Sequence, residues 1–194
     1  MTGPVTASIL AGGMSRRMGF NKAFIKVDGQ TIIERCVAVL CSVFEEVNII
    51  ADNTRLYDGL GLAVLADEIK GAGSLGGVYT ALIHSPAERV FVAACDMPYL
   101  DAASVKATVE LSEGCTAAVP FINGRFHPMH SVYSKGCVKA MEEMIEAGDL
   151  RINDLLTRIE TKRLTEKLYA GAPIARSVVN VNTREDLERV ETRP

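Results

Sequence analysis

Short apolar runs recur along the chain at 5–10, 47–51, 63–66, 90–94 and 117–121, each bounded by polar or glycine-containing segments. Near-continuous apolar runs of this length mark strands buried on both faces rather than strands with one wet face. Between most of them the spacing changes to a helical one. Ile32, Ile33, Cys36, Val37, Val39, Leu40 and Val43 form one apolar stripe after Thr31, and 75–83 and 105–111 repeat the period, with Asp101 placed to cap the third helix. Strands alternating with helices predict an α/β fold of the Rossmann-like three-layer α/β/α kind, with a mostly parallel sheet between two helical layers.

After position 121 the pattern shifts. Asn123-Gly124 signals a tight turn, and 127–133 reads as a strand returning antiparallel, so the sheet is expected to be mixed. Helices at 135–146 and 152–158, strands at 162–164 and 177–181, and a last helix from Thr183, capped with Asp186, complete the expected order. No repeat or linker divides the chain, so residues 1–194 read as a single domain.

Composition narrows the function classes. With 24 Asp and Glu against 21 Lys and Arg, the chain lacks the broad positive field of a nucleic-acid binder. No apolar run approaches the roughly 18 residues of a membrane span. The five cysteines are dispersed and odd in number, without a C-x-x-C pair, which predicts free thiols in a reducing compartment, the cytoplasm.

Chemistry concentrates in Leu10-Ala11-Gly12-Gly13-Met14-Ser15-Arg16-Arg17-Met18-Gly19-Phe20-Asn21-Lys22, directly after the first apolar run. Glycines let backbone N–H groups close on an anion, and Arg17 and Lys22 add positive charge, so the loop reads as a cradle for a nucleoside triphosphate. Arg16 reads as solvent-facing. A Walker A loop is excluded because Gly19 is not followed by Lys and Ser or Thr. Gly71-Ala72-Gly73-Ser74-Leu75-Gly76 is a formal dinucleotide fingerprint, with Asp96 about twenty residues on. Asp67-Glu68-Ile69-Lys70 separates it from the preceding strand, and it would leave the basic loop unexplained, so a second loop over the same ligand is the simpler reading. Asp96, in Cys95-Asp96-Met97-Pro98, emerges at the carboxyl edge of the sheet. One carboxylate opposite a triphosphate suits Mg²⁺, which keeps several waters and binds substrate phosphates. Asp67 has the same placement after 63–66.

Taken with Gly73-Ser74-Leu75-Gly76-Gly77, Arg125-Phe126-His127-Pro128 with Tyr133, Arg151 after Gly148-Asp149, and Asn180-Val181-Asn182-Thr183, the first motif resembles that of the molybdenum cofactor guanylyltransferases, over 8–187. The resemblance implies GMP transfer from GTP to the terminal phosphate of molybdenum-bound molybdopterin, with Mg²⁺ and release of pyrophosphate. It assigns Leu10, Ala11, Gly12, Gly13, Lys22, Asp67 and Asp96 to the nucleotide. Arg17, Lys22 and Asp96 carry catalysis, Asp96 also being the metal ligand. Gly73, Gly77, Arg151, Asn180 and Asn182 fall on the pterin side. Ala51, with Asn53 two residues on, stands where some members carry a guanosine-contacting Asn. His127, among apolar neighbours, reads as a packing residue. The resemblance also implies transient contact with cofactor-biosynthesis proteins and acceptor molybdoenzymes. The first motif alone is common to enzymes that use CTP on the same pterin or an NTP on another phosphorylated small molecule. A non-catalytic nucleotide-binding module is the alternative of a different class.

Overall fold

Side chains of the central strands point alternately to two helical layers, which is what the apolar runs require. The computed structural model describes residues 3–12, 21–181 and 186. Strand β1 (Val5–Leu10) leads, beyond residue 21, to a short hairpin of β2 (Lys26–Val27) and β3 (Gln30–Thr31), then α1 (Ile32–Cys41), β4 (Val47–Ile50), β5 (Ala63–Leu65), α2 (Gly73–His84), β6 (Arg89–Ala94) and α3 (Ala102–Leu111). There follow β7 (Ala117–Ile122), β8 (Arg125–Phe126), β9 (His130–Ser134), α4 (Val138–Glu146), α5 (Ile152–Arg158), β10 (Thr161–Thr165) and α6 (Ile174–Ser177). A 3-10 helix, Thr54–Leu60, joins β4 to β5.

The main sheet runs β10-β7-β9-β6-β1-β4-β5, with β8 paired to β7. Along this path β9 alone is antiparallel to its neighbours, β6 and β7, as expected for a mixed sheet. Ala7 and Ile9 of β1, with Phe91 and Ala93 of β6, pack on one side against Ile32, Ile33, Cys36 and Leu40 of α1 and Val105 of α3. Leu10, Val90 and Val92 face the other side, against Leu75, Val78 and Leu82 of α2 and Met141 and Met144 of α4. Fully burying one such aliphatic side chain stabilises by about 1.5–3 kcal/mol, so these two layers hold the sheet.

Local signals explain where the elements begin. Thr31 caps α1 in a capping box with Glu34, and Asp101 accepts from Ser104 N to cap α3. Asn123 and Gly124 both take positive φ between the paired residues Ile122 and Arg125, the tight turn expected there.

One strand is corrected. The stretch 177–181 is not a strand. Ser177 ends α6, and the N–H groups of Val178 and Val179 turn back onto the carbonyls of Ile174 and Arg176. Val181 N–H donates to the Asp96 carbonyl at 3.0 Å, so these amides are taken by a helix end and a loop and no ladder forms. The helix expected from Thr183 lies outside the described residues except for Asp186. Among the described residues no helix is long and apolar enough to cross a membrane.

Candidate active site

From β1 the chain builds β4 and β5 on one side and then crosses to β6 on the other, so strand order reverses at the β1–β6 boundary. In open α/β sheets the loops that leave the carboxyl ends at such a boundary part and leave a crevice. A cleft of about 610 Å³ lies there. Four carboxyl-end loops supply its wall: Gly12 after β1, Asp52 after β4, Asp67 after β5, and Cys95 and Asp96 after β6. Asn21 and Lys22, the α2 start at Gly73 and Ser74, Gly77, Met129 and Asn180 also line it, over the strand ends at Leu10, Ile50 and Ala94.

Asp96 is the most enclosed of these carboxylates. Burial raises its pKa, while the hydrogen bond from Asn180 and the nearby positive charge of Lys22 lower it. Asn180 Nδ2 donates to Oδ1 at 2.7 Å. With Val181 N–H on the Asp96 carbonyl, the segment after α6 is fastened to the loop after β6 at two points. That segment is anchored in turn by a buried polar group: Ser177 Oγ lies 2.9 Å from His130 Nε2 and accepts from Asp101 N–H at 3.1 Å.

Asp67 is half-buried beside Gly12. A Cβ at Gly12 would stand 3.2 Å from Asp67 Oδ2, so the glycine gives the carboxylate room. Burial raises the Asp67 pKa and the Asp52 charge adds to the rise, against a hydrogen bond from Thr80. Thr80 Oγ1 sits 3.3 Å from Asp67 Oδ1 and 2.9 Å from the Gly76 carbonyl, and accepts from Glu68 N–H at 3.1 Å.

The expected residues divide into three groups. Leu10, Gly12, Lys22, Asp67, Gly73, Gly77, Asp96 and Asn180 meet in the cleft. Ala11 lies just behind it, its N–H on the Ile50 carbonyl and its own carbonyl on Tyr57 Oη. Gly13, Arg16, Arg17 and Asn182 lie outside the described residues. Arg151 is not brought into the cleft: its exposed guanidinium pairs with Asp149 and Asp154 at the start of α5. Ala51 is buried under the cleft and Asn53 is exposed at the start of the 3-10 helix, so between them only Asp52 reaches the wall. Asp52 was missed from sequence because no motif contains it. Its signal was position alone, directly beyond a parallel strand's carboxyl end.

Gly76 of the fingerprint and Gly77 beside it take packing roles as well. A Cβ on Gly76 would stand 2.6 Å from Ala72 Cβ, and one on Gly77 would stand 2.9 Å from Leu10 Cδ1. They let α2 lie close on β1 and on the loop before it. His127 is buried, with burial lowering its pKa, and its Nε2 lies 3.4 Å from the Ile122 carbonyl, a packing role as expected. Tyr133 Oη donates to the Pro128 carbonyl at 3.0 Å and holds that turn. Burial pushes the Cys36 thiol up to about 12 and raises that of Cys95 as well, so the cleft presents no thiolate nucleophile among them.

This arrangement can hold a polyanion over backbone N–H groups and a lysine, with a hard carboxylate beside it. No group of three or more His, Cys, Asp or Glu that could hold a metal occurs among the described residues. A cation would therefore be held by Asp96 together with substrate oxygens, the manner in which Mg²⁺ binds. The donor set fits it: a desolvated carboxylate with one oxygen, Oδ1, engaged by Asn180.

Residues 7–164 match the family model described as the MobA-like NTP transferase domain. A probable molybdenum cofactor guanylyltransferase of Pelotomaculum thermopropionicum is 39% identical over 94% of this chain and 89% of its own. A molybdenum cofactor guanylyltransferase of Desulfosudis oleivorans is 34% identical over 96% and 94%. The solved structure of molybdopterin-guanine dinucleotide biosynthesis protein A from Archaeoglobus fulgidus superposes with a TM-score of 0.83 at 26% identity, covering 96% of each chain.

Proposed function

Because the chain belongs to the MobA-like NTP transferase family, we propose that it transfers GMP from GTP to the terminal phosphate of molybdenum-bound molybdopterin, forming the guanine dinucleotide cofactor and releasing pyrophosphate. The observation that carries this reading is the meeting of Gly12, Lys22 and Asp96 in one cleft at the strand-order reversal. The names of the relatives supply the guanine and the molybdenum cofactor, and that of the Archaeoglobus fulgidus structure supplies the pterin.

In this reading the triphosphate lies over the loop after β1, with Lys22 against its charge. An oxygen of the pterin phosphate attacks the α-phosphorus of GTP, the bond from that phosphorus to the bridging oxygen breaks, and pyrophosphate departs. A phosphate monoester has its second pKa near about 6, so the nucleophile is already a dianion at neutral pH and needs no general base. Catalysis then rests on alignment and on stabilising charge, which suits a cleft with a lysine and no catalytic histidine or thiolate among its described residues. Mg²⁺, when bound at Asp96 and the phosphates, would supply further charge neutralisation. Asn180 holds Asp96 in place.

The start of α2 supports a second anion nearby. Ala72 gives no side-chain cap, so the first N–H groups, at Gly73 and Ser74, serve an acceptor phosphate. Gly77 and Asn180 stand on this side. Asn182 follows in the same segment, and Arg151, held at the surface on Asp149 and Asp154, is left out of the acceptor end. By family resemblance Arg17 is assigned with Lys22 to the phosphates and Gly13 to the nucleotide. The base falls toward the β4 and β5 ends, where Asp52 and Asp67 stand. Guanine offers two adjacent donors, N1–H and the N2 amine, which one carboxylate accepts together. Cytosine and adenine present a ring acceptor at the corresponding place, which a carboxylate repels.

Calorimetric titration with GTP, CTP and ATP in Mg²⁺ tests the assignment. GTP is expected to bind tightest by at least about tenfold, the scale of one base-reading contact. Preferential CTP binding would instead identify a cytidylyl transferase.

A further inference from the structure

Behind the cleft, one phenol joins the two ends of the loop that follows β1. Tyr57, in the 3-10 helix Thr54–Leu60, is 1% exposed, and no sequence motif marks it. Its hydroxyl donates to the Ala11 carbonyl at 3.1 Å and accepts from Asn21 Nδ2 at 2.8 Å. The direction of the Asn21 amide is set independently, because Asn21 Oδ1 accepts from Ala23 N–H at 3.0 Å, which leaves Nδ2 to face the phenol. Ala11 is pinned from its other side by its N–H on the Ile50 carbonyl at 2.8 Å. The Tyr57 ring stacks on Phe24, with centroids 5.5 Å apart, so the ring position does not depend on the two hydrogen bonds alone. A single oxygen that both donates and accepts thus ties residue 11 to residue 21.

Both tied residues adjoin the proposed phosphate contacts. Gly12 follows Ala11, and Lys22 follows Asn21. Bringing the ends of a loop together costs conformational entropy, and a loop closed before the ligand arrives spares that cost at binding. Burial raises the Tyr57 pKa, so the hydroxyl keeps its proton across the physiological range and the donor half of the tie persists.

We propose that Tyr57 is a positioning residue that sets affinity for the nucleoside triphosphate by holding residues 11 and 21 together, so that Gly12 and Lys22 meet the phosphates from fixed places. It rests on the reading above that this loop binds GTP. It assigns a substrate-binding consequence to a side chain that does not line the cleft, and it separates the two substrates, because the tie touches the nucleotide loop and not the acceptor side.

The test is Tyr57→Phe, which keeps the ring and its stack and removes only the hydroxyl. GTP Kd by titration and KM for both substrates are read together with Tm. Loss of the tie is expected to raise Kd and KM for GTP about threefold to tenfold, the range of one net hydrogen bond, and to leave KM for the pterin acceptor within about twofold. Tyr169→Phe is the structural control. It also removes a buried hydroxyl, one 3.1 Å from Thr108 Oγ1 and away from the cleft, and it is expected to lower Tm without moving GTP affinity. Asn21→Ala breaks the tie from its other end without altering the buried ring, but Asn21 also lines the cleft and caps Lys22–Phe24, so the tie is read from the coupling and not from that variant's own loss. In the Asn21→Ala background Tyr57→Phe should cost much less GTP affinity than it does alone. Unchanged GTP affinity in Tyr57→Phe, strictly additive losses with Asn21→Ala, or equal losses for both substrates overturn the assignment. A wild-type chain that binds no GTP overturns the functional reading itself, whereas one that binds GTP while Tyr57→Phe matches it overturns only the role of Tyr57.

Discussion

A carboxylate as enclosed as Asp96 loses hydration, which raises its pKa and which nearby donors and positive charge offset. Asn180, by a hydrogen bond, and Lys22, by its nearby charge, give part of that offset. In the proposed reaction Asp96 is needed for its charge, not its shape. Asp96→Asn and Lys22→Ala are each expected to cut the rate of pyrophosphate release at least about a hundredfold, the scale of losing one preorganised electrostatic stabiliser. Full activity in either variant would remove that residue from the machinery. A second residue-scale expectation concerns His130, fully buried on Ser177, whose pKa burial lowers from 6.5 to about 4. Between those values the unfolded chain binds a proton that the folded chain refuses. Stability therefore falls as pH drops from about 6.5 toward 4, by a total on the order of 3 kcal/mol from this group. Denaturant unfolding of wild type and His130→Asn at pH 7.5 and pH 4.5 isolates the effect, because the raised carboxyls of Asp67 and Asp96, which act in the opposite sense, are common to both proteins. Wild type should lose more stability on acidification than the variant. Parallel losses would show that His130 does not titrate in this way.

Elements were legible where burial imposes a period. The runs at β1, β4, β5, β6 and β7 emerge as strands within a residue or two of their expected bounds, because strands between two helical layers are mostly apolar, and the polar Ser8 of β1 and Asn48 of β4 satisfy each other across the sheet. Helix α5 falls at 152–158 as read, while α2 begins two residues earlier than its apolar stripe, at Gly73. A stripe marks the face that packs, and the uncapped first turn carries little of it. The segment 177–181 failed for a related reason. Ser-Val-Val-Asn-Val has strand composition, but its partners are a helix end and the Asp96 loop, which composition does not encode. The β2–β3 hairpin, turning at Asp28 and Gly29 with positive φ, carried a usable Asp-Gly signal that two-residue strands made easy to pass over. Helix α2 also supplies an element-scale prediction. Gly76→Ala drives a methyl toward Ala72 Cβ and the Ile69 carbonyl, short contacts that only a shift of the helix start relieves. The variant should lose about 1–3 kcal/mol, seen as a lower Tm, and weaken binding at Gly73 and Ser74, since these ride on the same turn. An unaltered Tm would mean that the helix start yields at no cost.

At the scale of the molecule, the site exists because of strand order. Gly12 and Asp96 are 84 residues apart in sequence, yet β1 and β6 are neighbours with Leu10 opposite Ala94, so the loops that follow open onto one crevice. Alternating strands and helices were enough to predict a cleft at the carboxyl edge, and the motif residues Gly12 and Lys22 do line it. Asp52, Tyr57 and the Ser177–His130 anchor were not legible, since each acts through a contact made only when distant segments pack. Arg151 shows the converse: a motif position that the fold holds at the surface with Asp149 and Asp154. The central claim is that two phosphates meet in this one cleft, GTP as donor and the pterin as acceptor. Pyrophosphate release from GTP in Mg²⁺, with and without molybdenum-bound molybdopterin, tests it most directly. Release is expected only with the pterin present, matched by guanine dinucleotide formed, and with CTP at no more than about a hundredth of the GTP rate. Equal release without the pterin, or equal rates with CTP, would contradict it.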